Sequence, residues 1–93
     1  MKLKIIEYFW AVGRKTKRVG TYRMPLDVGQ TREINRMSFK IEKVDGDKLT
    51  VSINRKDGTL IKEISVEKGK QSYYRPMSMD AGYEYILKIT RLF

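Results

Sequence analysis

Residues 37–53 read MSFKIEKVDGDKLTVSI, and apolar side chains stand at every second position on both sides of a turn sequence. The apolar residues in this register are Met37, Phe39, Ile41, Leu49, Val51 and Ile53. Asp45, Gly46 and Asp47 separate the two halves, and an Asp-Gly pair favours the tight turns of hairpins. A period of two gives a strand one buried face and one solvated face, so this stretch predicts a β-hairpin.

Other segments of the chain repeat this pattern. Residues 83–89 alternate most regularly, with Tyr83, Tyr85, Leu87 and Ile89 on one face. Weaker runs lie at residues 2–12, 22–28, 31–34, 60–66 and 71–75. The sequence therefore predicts an all-β fold for a single domain of residues 1–93, a small antiparallel β-sandwich or partly open barrel of about six or seven strands. We expect little helix, at most one turn at residues 77–82.

The first of these runs is apolar on both faces, except where Glu7 interrupts it. Its two faces carry Leu3, Ile5 and Phe9 on one side and Ile6, Tyr8, Trp10 and Val12 on the other. A helix is the alternative, but the β-branched and aromatic content favours a strand. Such a strand suits the middle of a sheet, and we expect Trp10 to pack in the core because a small domain needs its large side chains inside.

Two later features bear on the edges of the predicted sheets. Pro25 cannot donate a ladder hydrogen bond, so residues 22–28 are predicted to form an edge strand. Leu60, Ile64 and Val66 are predicted to share one buried face. Leu92 and Phe93 extend the apolar ending of the last strand and predict that this end is held in a sheet.

The composition disfavours catalysis. The chain has 93 residues without a His or a Cys, and therefore lacks the most common general base and the strongest nucleophile. Carboxylate pairs such as Asp27 with Glu33 are conceivable acid and base groups, but turn and solvent-facing roles explain them better. Calcium loops need more oxygen ligands than the Asp45–Asp47 turn offers. We expect no enzyme activity, no cofactor, no metal and no small-molecule substrate.

Charge points to an anionic partner. The net charge is +9, of which residues 1–46 hold +6 and residues 47–93 hold +3. Five cations crowd residues 14–23 without an acid among them, namely Arg14, Lys15, Lys17, Arg18 and Arg23. Cations of this kind neutralise phosphates, and nearby aromatic rings stack on bases. These residues predict one function for the chain, the binding of nucleic acid or another polyanion.

Protein recognition is the other function, and it is our main hypothesis from the sequence. Aromatic and Met side chains supply much of the energy at interfaces. The candidates gather around Pro76 and are Tyr73, Tyr74, Arg75, Met77 and Met79. We expect a non-catalytic binding or assembly module that recognises a protein partner, including a second copy of itself, through an edge strand and this loop.

A short stretch near the last strand, Asp80-Ala81-Gly82-Tyr83-Glu84, resembles the Asp-x-Gly-x-Tyr run of immunoglobulin-like domains. Glu84 stands where that family has its Tyr, and the Cys that follows two residues later in the family is absent. The resemblance therefore favours a sandwich only weakly and implies no function. The N-terminal apolar run lacks a small-residue cleavage site and is too short to span a bilayer. We expect no transmembrane segment and a cytoplasmic location.

Overall fold

The computed structural model describes residues 1–91, which form eight β-strands and no helix. The strands are β1 (Lys2–Ala11), β2 (Lys17–Pro25), β3 (Thr31–Ile34), β4 (Met37–Asp45), β5 (Lys48–Arg55), β6 (Leu60–Glu67), β7 (Ser72–Tyr74) and β8 (Ala81–Thr90). The all-β prediction is confirmed, with eight strands in place of six or seven. No helical turn forms at residues 77–82, because this segment is irregular up to Asp80 and then opens β8.

The strands make two antiparallel sheets of four. We call the sheet with order β2-β1-β8-β7 the terminal sheet, since it holds the first and last strands, and the sheet with order β3-β4-β5-β6 the central sheet. Strand β1 pairs with β8 from Lys2↔Thr90 to Ala11↔Ala81. The two sheets pack face to face as a sandwich, so the sandwich reading of the fold is confirmed.

The predicted hairpin forms the middle of the central sheet as β4 and β5. Its alternating apolar residues from Phe39 to Ile53 are at most 2% exposed. The two strands are joined by Gly46 and Asp47, and Gly46 has a φ of 61°, the conformation that Gly supplies at the first position of a type II′ turn. Each of these large side chains contributes about 1.5–3 kcal/mol by leaving water.

A second tight hairpin links β3 to β4. Asn35 and Arg36 form its two-residue loop between Ile34 and Met37, with φ values of 49° and 65°. Positive φ at both central positions is the requirement of a type I′ turn. The sequence did not predict this turn, because Arg rarely adopts a positive φ and Asn35-Arg36 therefore does not resemble a typical type I′ turn.

The core fills the space between the sheets. Its buried apolar residues are Leu3, Ile5, Met24, Ile34, Phe39, Ile41, Leu49, Val51, Ile53, Ile64, Val66, Tyr74, Tyr85 and Leu87. They come from both sheets, and rings of Phe39 and Tyr85 meet across the interface with centroids 5.3 Å apart. The core therefore sits under the middle of the terminal sheet, whereas the end of that sheet around Phe9 is less covered.

The placement of Trp10 corrects a prediction. Leu3, Ile5 and Glu7 face the core, so the even-numbered residues of β1 point outward, and Trp10 is half-buried on the outer face of the terminal sheet. Successive side chains of a strand point to opposite faces, so burying Leu3, Ile5 and Glu7 places Trp10 on the other face.

Irregularities at the edges of the sheets decide two further placements. Ile61 is an extra residue between the pairs Ile53↔Lys62 and Asn54↔Leu60, so Leu60 leaves the core face and is 54% exposed. The prediction that Leu60 is buried is thus wrong, while Ile64 and Val66 are buried as predicted. Strand β2 is an edge strand, as Pro25 predicted, but it spans Lys17–Pro25 and not residues 22–28. Leu92 and Phe93 lie outside the described residues.

Candidate polyanion-binding surface

Three cations lie side by side on the outer face of the terminal sheet. Lys4 of β1 is directly opposite Arg23 of β2 and directly opposite Lys88 of β8. Leu3 and Ile5 flank Lys4 and face the core, so the Lys4 side chain points away from it. Neighbouring strands are about 4.8 Å apart, so these three positions span about 10 Å. We call them the cation row.

The cation row is electrostatically unfavourable in the free protein. None of its members forms a salt bridge with any of residues 1–91. Partial burial lowers the pKa of Lys4, and the charges of Lys88, Arg23 and Arg18 lower it further. Like charges directly opposite in a sheet are destabilising. An anion bound across the row would remove this repulsion.

The rows that follow along the sheet mix apolar, aromatic and charged side chains. Ile6 lies between Thr21 and Ile86, and the next row places Tyr8 between Arg18 and Glu84. Arg18 reaches this face because Val19 is an extra residue in β2, between the pairs Glu7↔Gly20 and Tyr8↔Arg18. Arg18 thus adds a cation beside an aromatic ring to the same face as the cation row.

The far end of this face holds an ordered cluster around Trp10. The Arg75 guanidinium lies 3.9 Å from the centroid of the Trp10 ring, and its Nε is 3.9 Å from a carboxylate oxygen of Glu84. The Tyr73 hydroxyl donates a hydrogen bond to the same carboxylate. Arg75 and Tyr73 therefore compensate the charge of Glu84. The row of Ile6 separates Glu84 from the cation row, so Glu84 does not form an ion pair with it.

The five cations predicted from the sequence fall on two sides of the sheet. Arg18 and Arg23 lie on the outer face, next to the cation row or within it, whereas Lys17 pairs with Phe9 on the opposite face. Arg14 and Lys15 belong to the loop between β1 and β2. The expected single basic loop is therefore divided, because β2 begins at Lys17.

Lys4 and Lys88 were missed by the sequence reading. Both alternate with core residues, Lys4 with Leu3 and Ile5 and Lys88 with Leu87 and Ile89, so their outward direction was visible in the pattern. The pairing of the first strand with the last was not visible, because 84 positions separate Lys4 from Lys88. A search for Lys or Arg on the solvated faces of predicted strands would have found them.

A cavity of about 140 Å³ lies on the other side of the sheet, at the end of the β1–β2 hairpin. Phe9, Ala11, Arg14, Lys15 and Lys17 line it. The ring of Phe9 meets the ring of Tyr83 edge to face, with centroids 5.5 Å apart. We call this cavity the Phe9 pocket.

The predicted protein-interface residues also divide. Met77 and Met79 are 102% and 89% exposed, and Tyr73 is 54% exposed, so these three are accessible. Arg75 is exposed but already stacks on Trp10. Tyr74 is 7% exposed and stacks on Tyr85 in the core, so in this structure it does not offer its ring to a partner.

A buried carboxylate, that of Glu7, lies on the core side of the terminal sheet. Glu7 is 6% exposed and accepts hydrogen bonds from the hydroxyls of Tyr85 at 2.8 Å and Tyr22 at 3.3 Å. Asn35 Nδ2 donates to the Tyr85 hydroxyl at 3.5 Å. Buried charges are stable only when hydrogen-bonded, so this cluster depends on all of its members.

Tyr85 gives the protein a predictable response to alkali. Burial, together with Glu7, raises the pKa of Tyr85 well above its usual range, although the hydrogen bond from Asn35 opposes this shift. The folded state therefore keeps its proton at a pH where the unfolded chain has lost it. We expect the free energy of unfolding to fall above about pH 10, by up to about 1.4 kcal/mol per pH unit for this one residue.

Urea unfolding from pH 8 to 11 tests this response, with Tyr85→Phe as the comparison. The variant is expected to be less stable at neutral pH but to lose less stability on going to high pH. Equal slopes above pH 10 would contradict the assignment to Tyr85.

Comparison with known proteins does not identify the chain. No protein-family model, curated protein or solved structure matches it. Residues 1–91 contain no group of three or more Asp and Glu side chains arranged to hold a metal ion. The same residues include no helix long and apolar enough to cross a membrane. The geometry of the cation row and its surroundings is therefore the basis for assigning a function.

Proposed function

We propose that this protein binds single-stranded nucleic acid on the outer face of the terminal sheet. The observation that carries the proposal is the cation row, in which Lys4 faces Arg23 and Lys88 without a pairing acid among residues 1–91. A like-charged row costs folding free energy, and an anionic ligand that bridges the row recovers it. A phosphate backbone supplies such charges at regular intervals.

The aromatic content of the same face favours nucleic acid over other polyanions. Tyr8 lies one row beyond Ile6, and Tyr73 is exposed at the edge formed by β7. The Arg75 guanidinium, stacked on Trp10, has a side chain that is 46% exposed. Unpaired bases stack on Tyr rings and on guanidinium planes, each worth about 1–3 kcal/mol for aromatic residues.

Each group has a definite role in this proposal. Lys4, Arg23, Lys88 and Arg18 contact phosphates, and Tyr8 and Tyr73 contact the flat faces of bases. Stacking tolerates every base, so we expect little sequence preference and strong salt dependence. This mode of binding is non-catalytic.

Titration of oligo(dT) across a range of salt concentrations tests the proposal. The chain has one Trp, and it lies on the proposed surface, so its fluorescence reports binding directly. Four phosphate contacts predict that log K falls with log[salt] at a slope of about −3 for a single strand. A slope near zero, or no fluorescence change at low salt, would refute nucleic-acid binding.

A protein partner is the second candidate, and the exposure of Met77 and Met79 favours it. Both flank Ser78 in the loop before β8, and Val12 nearby is 72% exposed and joined to Asp80 through its backbone N–H. Light scattering over a wide concentration range tests self-association, with Met77→Ser/Met79→Ser as the comparison. A monomer at all concentrations, with no partner retained by the wild type and lost by the variant, would eliminate this candidate.

A further inference from the structure

We infer that the Phe9 pocket receives one nucleobase of the bound strand, stacked against the ring of Phe9. This inference rests on the proposed nucleic-acid binding. It assigns a specific place to one base, on the side of the terminal sheet opposite the cation row.

The size of the pocket limits what enters it. Its volume of about 140 Å³ is well below the roughly 300–1,000 Å³ of sites that enclose a whole small molecule. A ligand therefore inserts one ring and keeps the rest of its structure outside. The apolar wall is formed by Phe9 and Ala11, and Tyr83 holds the Phe9 ring in place by an edge-to-face contact.

The charges at the pocket indicate what is attached to that ring. Arg14, Lys15 and Lys17 line the cavity, and none of them forms a salt bridge with residues 1–91. Within residues 1–91, no carboxylate lines the pocket. A flat apolar wall surrounded by three free cations fits a planar ring joined to an anionic group, which is the chemistry of a base and its phosphate.

A strand bound at the cation row is long enough to reach this pocket. Lys4 and Phe9 are five residues apart along β1, or about 17 Å at the rise of a β-strand. The strand must also pass around the edge strand β2 to the opposite face, so it needs more than about five stacked nucleotides at roughly 3.4 Å each. The path crosses the edge strand β2, where the extra residue Val19 sends Arg18 to the outer face and Lys17 to the pocket. Two consecutive cations therefore lie on the two faces of the sheet, at the place where the bound strand passes from one face to the other.

The test compares oligo(dT) of about ten nucleotides with an abasic strand that has the same phosphates. Phe9→Leu removes the flat ring and retains an apolar side chain of similar size. We expect this variant to bind oligo(dT) about fivefold or more weakly and to bind the abasic strand as the wild type does. Val28→Ala, an exposed apolar change in the loop between β2 and β3, is the matched control and is expected to bind both strands normally.

The outcomes separate this inference from the proposed function. If the wild type binds the oligo(dT) and abasic strands equally, the base does not enter the pocket, while phosphate binding stands. If it binds neither, the proposed function fails. If Phe9→Leu does not fold, amide NMR shifts of Phe9 and Ala11 in the wild type decide, because the inference requires this apolar wall to respond to oligo(dT) and not to the abasic strand.

Discussion

Replacing Lys4, Arg23 and Lys88 together by Gln is expected to weaken oligo(dT) binding about 10- to 100-fold at roughly 0.1 M salt. Each lost phosphate contact reduces the salt slope of log K by about 0.7, so the slope should become shallower by about 2. Affinity is measured by the fluorescence of the single Trp or by retention on immobilised oligonucleotide.

The same variant is expected to be as stable as the wild type or slightly more stable. Lys4 lies directly opposite both other cations, so removal of the three charges relieves the repulsion between them. Weaker binding together with unchanged or higher stability is the behaviour of a binding surface. A residue set that served the fold alone would show the opposite.

A matched variant controls for net charge. Lys43→Gln/Lys56→Gln/Lys62→Gln removes three exposed cations outside the terminal sheet, none of them in a salt bridge within residues 1–91. Both triple variants lose three positive charges from the same starting value of +9. If the two weaken binding equally, the attraction comes from overall charge, and the cation row has no special role.

Glu7→Ala is expected to lower the free energy of unfolding by about 2–4 kcal/mol. The change leaves the hydroxyls of Tyr85 and Tyr22 without their acceptor, and Tyr85 is 0% exposed, so water does not replace the carboxylate there. For a domain of this size the loss corresponds to roughly 10–25 °C in Tm. Urea and thermal unfolding at pH 7 measure it.

Two comparisons isolate the cause. Glu63→Ala removes an exposed carboxylate of β6 and is expected to change stability by less than about 0.5 kcal/mol. Glu7→Ala should also cost less in a Tyr22→Phe/Tyr85→Phe background than in the wild type, because no hydroxyl is then left unpaired. An equal cost in both backgrounds would show that Glu7 acts through packing and not through these hydrogen bonds.

Much of the sandwich was predictable because strand periodicity is local. The hairpin of β4 and β5 was predicted from side chains no more than 17 residues apart, and its turn required a Gly that the sequence shows directly. The edge position of β2 was likewise predictable from Pro25. Placements that depend on an extra residue in a strand were not predictable, and Leu60 is an example.

The candidate site was only half predictable for a related reason. Arg18 and Arg23 belong to a basic segment that any reading of charge detects. Lys17 stands beside Arg18 and yet faces the opposite side, because one extra residue at Val19 changes the register of β2. Lys4 and Lys88 join the site only through the pairing of the first strand with the last.

The amino-acid sequence by itself determined which side chains alternate between the two faces of a regular strand, because this alternation at a period of two depends only on that segment and on the burial of apolar side chains. The tertiary structure alone decided which solvated faces lie together. It placed Arg23, Lys4 and Lys88 in one row and Trp10 beneath Arg75. Backbone hydrogen bonds between strands that are distant in the sequence decide which side chains are neighbours. These hydrogen bonds do not depend on the identity of the side chains.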